Sequence, residues 1–242
     1  MCPERAFANV DRLLVSTAVS ESTRAHGVTA FKLILGALAL SALVTEIVVL
    51  IDRESFDAAN FFSYFTVLSN LLMSIALLVS AGFLLTGRSI ERLAMFRGAA
   101  TLYMLITGIG FTVLLSGLES TQFTAVGWDN TVLHYLVPVG AAIDWLIDPP
   151  AVAIRTGRAM IWLIFPLAYV VYSEIRGPIV DWYPYPFLDP GPHGVAAVVV
   201  VSIGIALLAA ALAFALAWYT RFRVKSTGMP GPGPVPAAPT AS

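Results

Sequence analysis

Charge is scarce in this chain. Only 12% of its 242 residues are Asp, Glu, Lys or Arg, about half the share of a soluble domain, and these sit between long apolar runs. The net charge of −1 leaves no basic field for nucleic acid. A single cysteine, Cys2, excludes an intrachain disulfide and a cysteine-based metal cluster. There are three histidines, and only His134 falls inside an apolar segment. A membrane bis-haem centre needs paired axial histidines, so that chemistry is excluded. The two lysines, Lys32 and Lys225, lie too near segment ends for a retinal-type Schiff base deep in a late span. No P-loop, HExxH, GxSxG or dinucleotide fingerprint occurs. What is abundant is apolar surface. Hydrophobic residues make up 58% and the mean hydropathy is +0.82, which marks an integral membrane protein.

A bilayer core takes about 20 apolar residues per helix. Six stretches qualify: Val28–Ile51, Phe61–Leu85, Ala94–Leu118, Thr131–Ile147, Ala159–Ser173 and Val195–Trp218. The fourth and fifth are short and contain proline, and the fifth has room to lengthen as a tilted helix to Arg176. The expected fold is all-α, a polytopic bundle of six transmembrane helices spanning residues 28–220. Twelve of the fourteen Lys and Arg residues fall on one side and only Arg53 and Arg176 on the other. This bias and the even number of spans both place the two termini in the cytoplasm. Residues 1–27 then form a cytoplasmic N-terminal segment without a cleavable signal, with a weak surface-helix pattern over residues 12–20. Residues 221–242, rich in Pro, Gly and Ala at their end, form a disordered cytoplasmic tail. No internal repeat stands out, which disfavours an inverted-repeat transporter. The alanine-rich sixth span suits close helix packing, and Trp182–Phe187 suits the membrane–water interface.

On this topology His26 and His193 lie on opposite sides of the membrane. A catalytic zinc with three protein ligands therefore cannot assemble from the histidines. His134 itself is costly at membrane depth and calls for a partner. The second and fourth spans both run inward from the outer face. Thr66 lies about 7 Å below that face at 1.5 Å per residue, His134 lies at a similar level, and Glu46 of the first span does too. Ser63, Thr66 and Asn70, three and four apart, share one helix face. Pro138, four residues after His134, leaves that residue's carbonyl without its helical donor. A kink is expected, with the freed carbonyl facing a neighbouring helix or trapped water. Each residue also has a plain role open to it. Thr66 can bond its own helix, Asn70 can join helices, His134 can make a structural bond, and Glu46, Asp144 and Asp148 can be interfacial. Glu174 and Arg176 can form an exposed helix-end pair.

The chemistry that survives needs no cofactor or metal: a threonine hydroxyl activated by an imidazole, with Asn70 as a candidate oxyanion donor. The segments Phe62–Asn70, Leu133–Pro138 with Asp144 and Trp145, and Trp182–Asp189 together resemble a bacterial, largely actinobacterial, family of six-helix membrane proteins. That family is similar to the androgen-induced-gene and androgen-dependent TFPI-regulating proteins of animals. The resemblance covers roughly residues 28–220, and the aromatic-proline loop resembles the bacterial branch more closely. It implies a multi-pass threonine hydrolase of the cell membrane acting on fatty acid esters of hydroxy fatty acids or another lipid ester. Thr66 and His134 match the catalytic pair, and Asn70, Ser63 and Glu46 are candidate supporting or substrate-binding groups. The expected partners are a fatty-acyl substrate and the lipid bilayer. Two further readings stand beside it: a transporter or sensor in which His134 titrates, and a scaffold whose polar cluster only locks the helices.

Overall fold

The computed structural model describes residues 3–117 and 126–226, with side chains from Ser22 onward except that of His193. All regular structure among these residues is helical. Helix α1 runs Pro3–Asp52 without a break, so the expected N-terminal segment continues directly into the first apolar stretch. It stops where Glu54 turns left-handed, at φ 54°. Helix α2 is Phe65–Leu85, α3 is Ile90–Leu115, α5 is Thr156–Val180 and α6 is Gly194–Ser226. With Ser22–Asp52 of α1, these are five helices long and apolar enough to cross a membrane. The remaining helical stretch, α4, covers residues 127–147 and is interrupted by a π-turn at Val132–Leu136. The helix of α6 continues to Ser226, and the rest of the expected disordered tail lies outside the described residues.

Two departures from the expected ends shape the site. The second apolar stretch does not start its helix at Phe61. A separate turn, Ala58–Phe61, is capped by Asp57, whose carboxylate accepts from the Asn60 N–H at 2.9 Å. The chain then extends at Tyr64, and α2 starts at Phe65. Ser63 therefore does not share a helix with Thr66 and Asn70. Thr66 becomes the second residue of α2, where backbone N–H groups have no acceptor within the helix. The other departure is at Pro138. The expected kink is taken up by the π-turn directly before it, which absorbs the lost N–H by widening the helix rather than breaking it. The freed carbonyl of His134 faces α3 at Gly108. A Cβ there would lie 3.6 Å from that oxygen and only 2.7 Å from Pro138 Cβ, so glycine lets the two helices touch.

Helix α3 is the central element, packing against α2, α4 and α6 and the start of α5. Its Ala100, Leu102 and Met104 are completely buried. One apolar core joins α2, α3, α5 and α6 around Phe65, Tyr103 and Trp162, and a second joins α1, α2 and α4 around Ala39, Met73 and Val137. One line of alanines on α6 faces the bundle, with Ala209, Ala213 and Ala217 buried, as close packing in lipid favours.

A network of four charges ties three helices together. Lys32 of α1 meets Asp144 of α4 at 2.5 Å and Asp148 at 2.9 Å. Arg97 of α3 meets the same two carboxylates at 3.2 and 3.1 Å and donates to the Asp148 carbonyl at 2.6 Å. Lys32 is completely buried. Asp144 is therefore buried between helices rather than an exposed interfacial carboxylate. The expected Glu174–Arg176 pair is also absent: Arg176 donates to Asn60 Oδ1 at 2.6 Å and stacks over Trp182 at 5.3 Å.

Candidate functional site: a hydroxyl and an imidazole beside Phe111

Thr66 is held at the start of α2 by a residue from the far end of the chain. The Tyr185 hydroxyl accepts from the Thr66 N–H at 3.1 Å and lies 3.2 Å from Thr66 Oγ1. Tyr185 belongs to the loop between α5 and α6, which opens at Asp181 (φ 51°) and ends at Gly194 (φ 77°). The loop folds inward. Its ring stacks in parallel on Phe187, 5.2 Å centroid to centroid, and Tyr64 meets it edge-on at 5.7 Å. Tyr183 lies so close to α5 that a Cβ on Gly177 would fall 2.1 Å from its ring. The segment assigned to the membrane interface thus buries Pro184 and Tyr185, and only part of it stays in reach of the surface. Burial pushes the Tyr185 phenol up to about 12, so it remains a neutral O–H donor through the physiological range.

Thr66, Tyr185, Phe187 and Leu188 line a cavity of about 70 Å³ whose other walls are mostly apolar, among them Ile106 and Phe111. Thr107 and Tyr169 also line it, and Thr107 shares a hydrogen bond of 2.8 Å with Ser69.

His134 is stacked on Phe111. The two rings stack at 3.9 Å and 26°. Phe111 also lines the Thr66 cavity, so one aromatic ring borders both residues. The imidazole Nδ1 lies 3.1 Å from the Asn130 carbonyl. A carbonyl only accepts, so Nδ1 carries the hydrogen, and the neutral ring keeps its lone pair on Nε2. His134 also lines a groove of about 400 Å³ between α3 and α4, with Gly108, Tyr135 and Pro138 among its walls. No hydrogen bond joins Thr66 to His134.

Asn70 is the bridge between their helices. Its Nδ2 donates to the Thr66 carbonyl at 2.9 Å and to the Leu133 carbonyl at 3.1 Å. Both amide hydrogens are thereby used, so Asn70 positions α2 against α4 and does not supply the oxyanion donor expected of it. Ser63 faces α5: its hydroxyl pairs with Tyr172 at 2.7 Å, and its carbonyl accepts from Tyr169 at 2.8 Å. Glu46 is buried on α1 and acts electrostatically on Tyr64; it does not line the Thr66 cavity.

The structure therefore brings Thr66, Asn70 and the turn bearing His134 together, and leaves Ser63 and Glu46 at the margin. Sequence reasoning missed Phe111 and Tyr185. Proline on both sides of Tyr185 was the signal available for the latter, since Pro184 and Pro186 stiffen the segment that delivers it. No three His, Cys, Asp or Glu side chains converge among the described residues. Comparison with protein-family models, curated proteins and solved structures gives no match.

Proposed function

We propose that this chain is a six-span protein of the cell membrane, with both termini in the cytoplasm, that hydrolyses lipid esters with Thr66 as nucleophile and His134 as base. The observation that carries the proposal is the position of Thr66. It lines a largely apolar cavity together with Phe111, the ring on which an imidazole with its lone pair on Nε2 is stacked. A hydroxyl that only packed would not need such a cavity.

Support for the sixth span comes from length. Residues 127–147 measure about 31 Å as helix, enough for a hydrocarbon core of about 30 Å. Support for the orientation survives a stricter tally. Setting aside the buried Lys32 and Arg97 leaves ten basic residues on the cytoplasmic side and two outside. The native Cys2 is the only cysteine, so single cysteines placed in a Cys2→Ser background report the topology cleanly. Positions 88 and 158 should react only after permeabilisation, and position 54 in intact cells.

In the reaction, an acyl chain enters along the groove between α3 and α4 and displaces the Phe111 ring. His134 Nε2 takes the proton from Thr66 Oγ1 as that oxygen bonds to the ester carbonyl carbon. The carbonyl electron pair moves onto its oxygen. On collapse the bond to the alcohol oxygen breaks, and the alcohol leaves with the proton from His134. Water then repeats the sequence and releases the acid. The test is turnover of p-nitrophenyl and long-chain acyl esters by protein in lipid nanodiscs. Thr66→Ala and His134→Ala should each abolish it, and activity unchanged in either variant would refute the assignment.

A further inference from the structure

Tyr185 has a hydroxyl placed for chemistry rather than for packing. Four aromatic residues of the α5–α6 loop could have closed the outer end of the cavity through their rings alone. Tyr185 instead delivers its oxygen to the first turn of α2, within hydrogen-bond distance of both the Thr66 N–H and the Thr66 hydroxyl. The N–H occupies one lone pair of the phenol oxygen. With the phenol as donor in its 3.2 Å contact with Thr66 Oγ1, its hydrogen points toward that oxygen and the cavity in front of it.

We infer that Tyr185 is a third catalytic residue of this site. It orients the Thr66 hydroxyl in the resting protein and donates its O–H to the oxygen that becomes negative when Thr66 attacks an ester carbonyl. This rests on the hydrolase reading of Thr66. The assignment explains three features at once. Asn70, the expected oxyanion donor, has no hydrogen to spare. The phenol lines the same apolar cavity as Thr66, where water does not compete for the developing charge. The loop holding it is fixed at both flanks, by the Tyr185–Phe187 stack and by the seating of Tyr183 on Gly177, so the donor is preorganised. No proton leaves the phenol in this role; the hydrogen bond strengthens as charge grows on the carbonyl oxygen and relaxes when the acyl–alcohol bond breaks. High resistance to ionisation suits such a donor.

The experiment compares wild type, Tyr185→Phe, Tyr103→Phe and Thr66→Ala, each as full chain in nanodiscs, with p-nitrophenyl octanoate as substrate. Tyr103 is the control because its hydroxyl makes an equally buried bond, to the Trp162 carbonyl at 3.0 Å, away from the cavity. Tyr185→Phe should lower kcat on the order of 10²-fold, as loss of one oxyanion donor does, with KM little changed. Tyr103→Phe should leave kcat near wild type while losing comparable thermal stability. Substitution of 3-fluorotyrosine at 185 keeps the fold and makes the phenol more acidic. It should change kcat without moving the melting temperature, which a purely structural hydroxyl would not do. Thr66-dependent turnover with unaltered kcat in Tyr185→Phe and in the fluorinated protein would overturn the role of Tyr185 alone. Absence of any Thr66-dependent turnover in wild type would overturn the hydrolase reading and Tyr185 with it.

Discussion

Removing two opposite charges from the four-charge network should cost clearly less than the sum of removing each alone. Lys32 and Arg97 balance Asp144 and Asp148, and every member except Asp148 is almost fully buried. Asp144→Asn leaves two cations against one carboxylate. It weakens the 2.5 Å bond from Lys32 and the 3.2 Å bond from Arg97 in a place that water does not reach. Breaking a buried pair from one side costs about 3–5 kcal/mol, because the remaining charge is uncompensated. Lys32→Met should cost a similar amount for the mirror reason. The double variant, Lys32→Met with Asp144→Asn, is neutral again and keeps the contacts between Arg97 and Asp148, including the 2.6 Å bond to the Asp148 carbonyl. Its loss should therefore fall short of the sum of the single losses by about 2 kcal/mol or more. The assay is equilibrium unfolding in mixed micelles followed by tryptophan fluorescence. Trp145, adjacent to Asp144 and 1% exposed, makes the signal local to the network. Strict additivity, or single variants within about 1 kcal/mol of wild type, would refute the claim that burial makes these charges depend on one another.

Three further outcomes follow from the geometry near His134. Gly108→Val should push α3 away from Pro138, where even a Cβ would sit at 2.7 Å, and cost about 1–3 kcal/mol in the same unfolding assay. Phe111→Ala should remove the ring that lines the Thr66 cavity and stacks on His134, lower stability by about 3–5 kcal/mol, and speed modification of Thr66 by a fluorophosphonate, measured by intact mass; unchanged labelling would mean that Phe111 does not limit access. The Tyr185 phenol is raised from the ordinary 10.0 to about 12 in the folded protein. The neutral form is thus favoured by folding, and the unfolded chain loses this proton first as pH rises. The associated stability is intact below pH 10 and falls between about 10 and 12, so wild type should lose more stability than Tyr185→Phe across that window in an alkaline unfolding series.

The helical architecture was legible because apolar length alone identifies a helix in lipid. Five of the expected stretches reappear as long apolar helices, with ends displaced by a few residues where Asp57 and Ser89 cap turns and where Asp181 turns left-handed. The fifth lengthens past Arg176 to Val180, as a tilted helix would. What could not be read was azimuth. Counting residues gives the position of a side chain along a helix, but not which neighbour it meets, because that depends on how six helices rotate against one another. Asp144 and Asp148 were read as interfacial and Lys32 and Arg97 counted among the cytoplasmic-side charges, and the spacing of four between the aspartates already puts them on one face. Only packing shows that this face turns toward α1 and α3, making an ion network from what reads as four separate charges.

The same limit explains the site. Thr66 and His134 were paired by depth, and Asn70 does join their two helices at that level by bonding the carbonyls of Thr66 and Leu133. Rotation about the helix axes then decides what lies between them. The π-turn at Val132–Leu136 turns the imidazole onto the face of Phe111, and the π-turn at Phe111–Leu115 begins at that same ring. Two widened turns on adjacent helices therefore meet at the Phe111–His134 stack. Such turns are sparsely populated and concentrate at functional positions, and neither Pro138 nor Gly108 reveals them to a count of residues. A protein that needed only to lock α3 against α4 could do so with regular helices and the Gly108–Pro138 contact. The paired irregularity instead sets Phe111 on the His134 ring beside the Thr66 cavity, a placement that supports the proposed hydrolase reading.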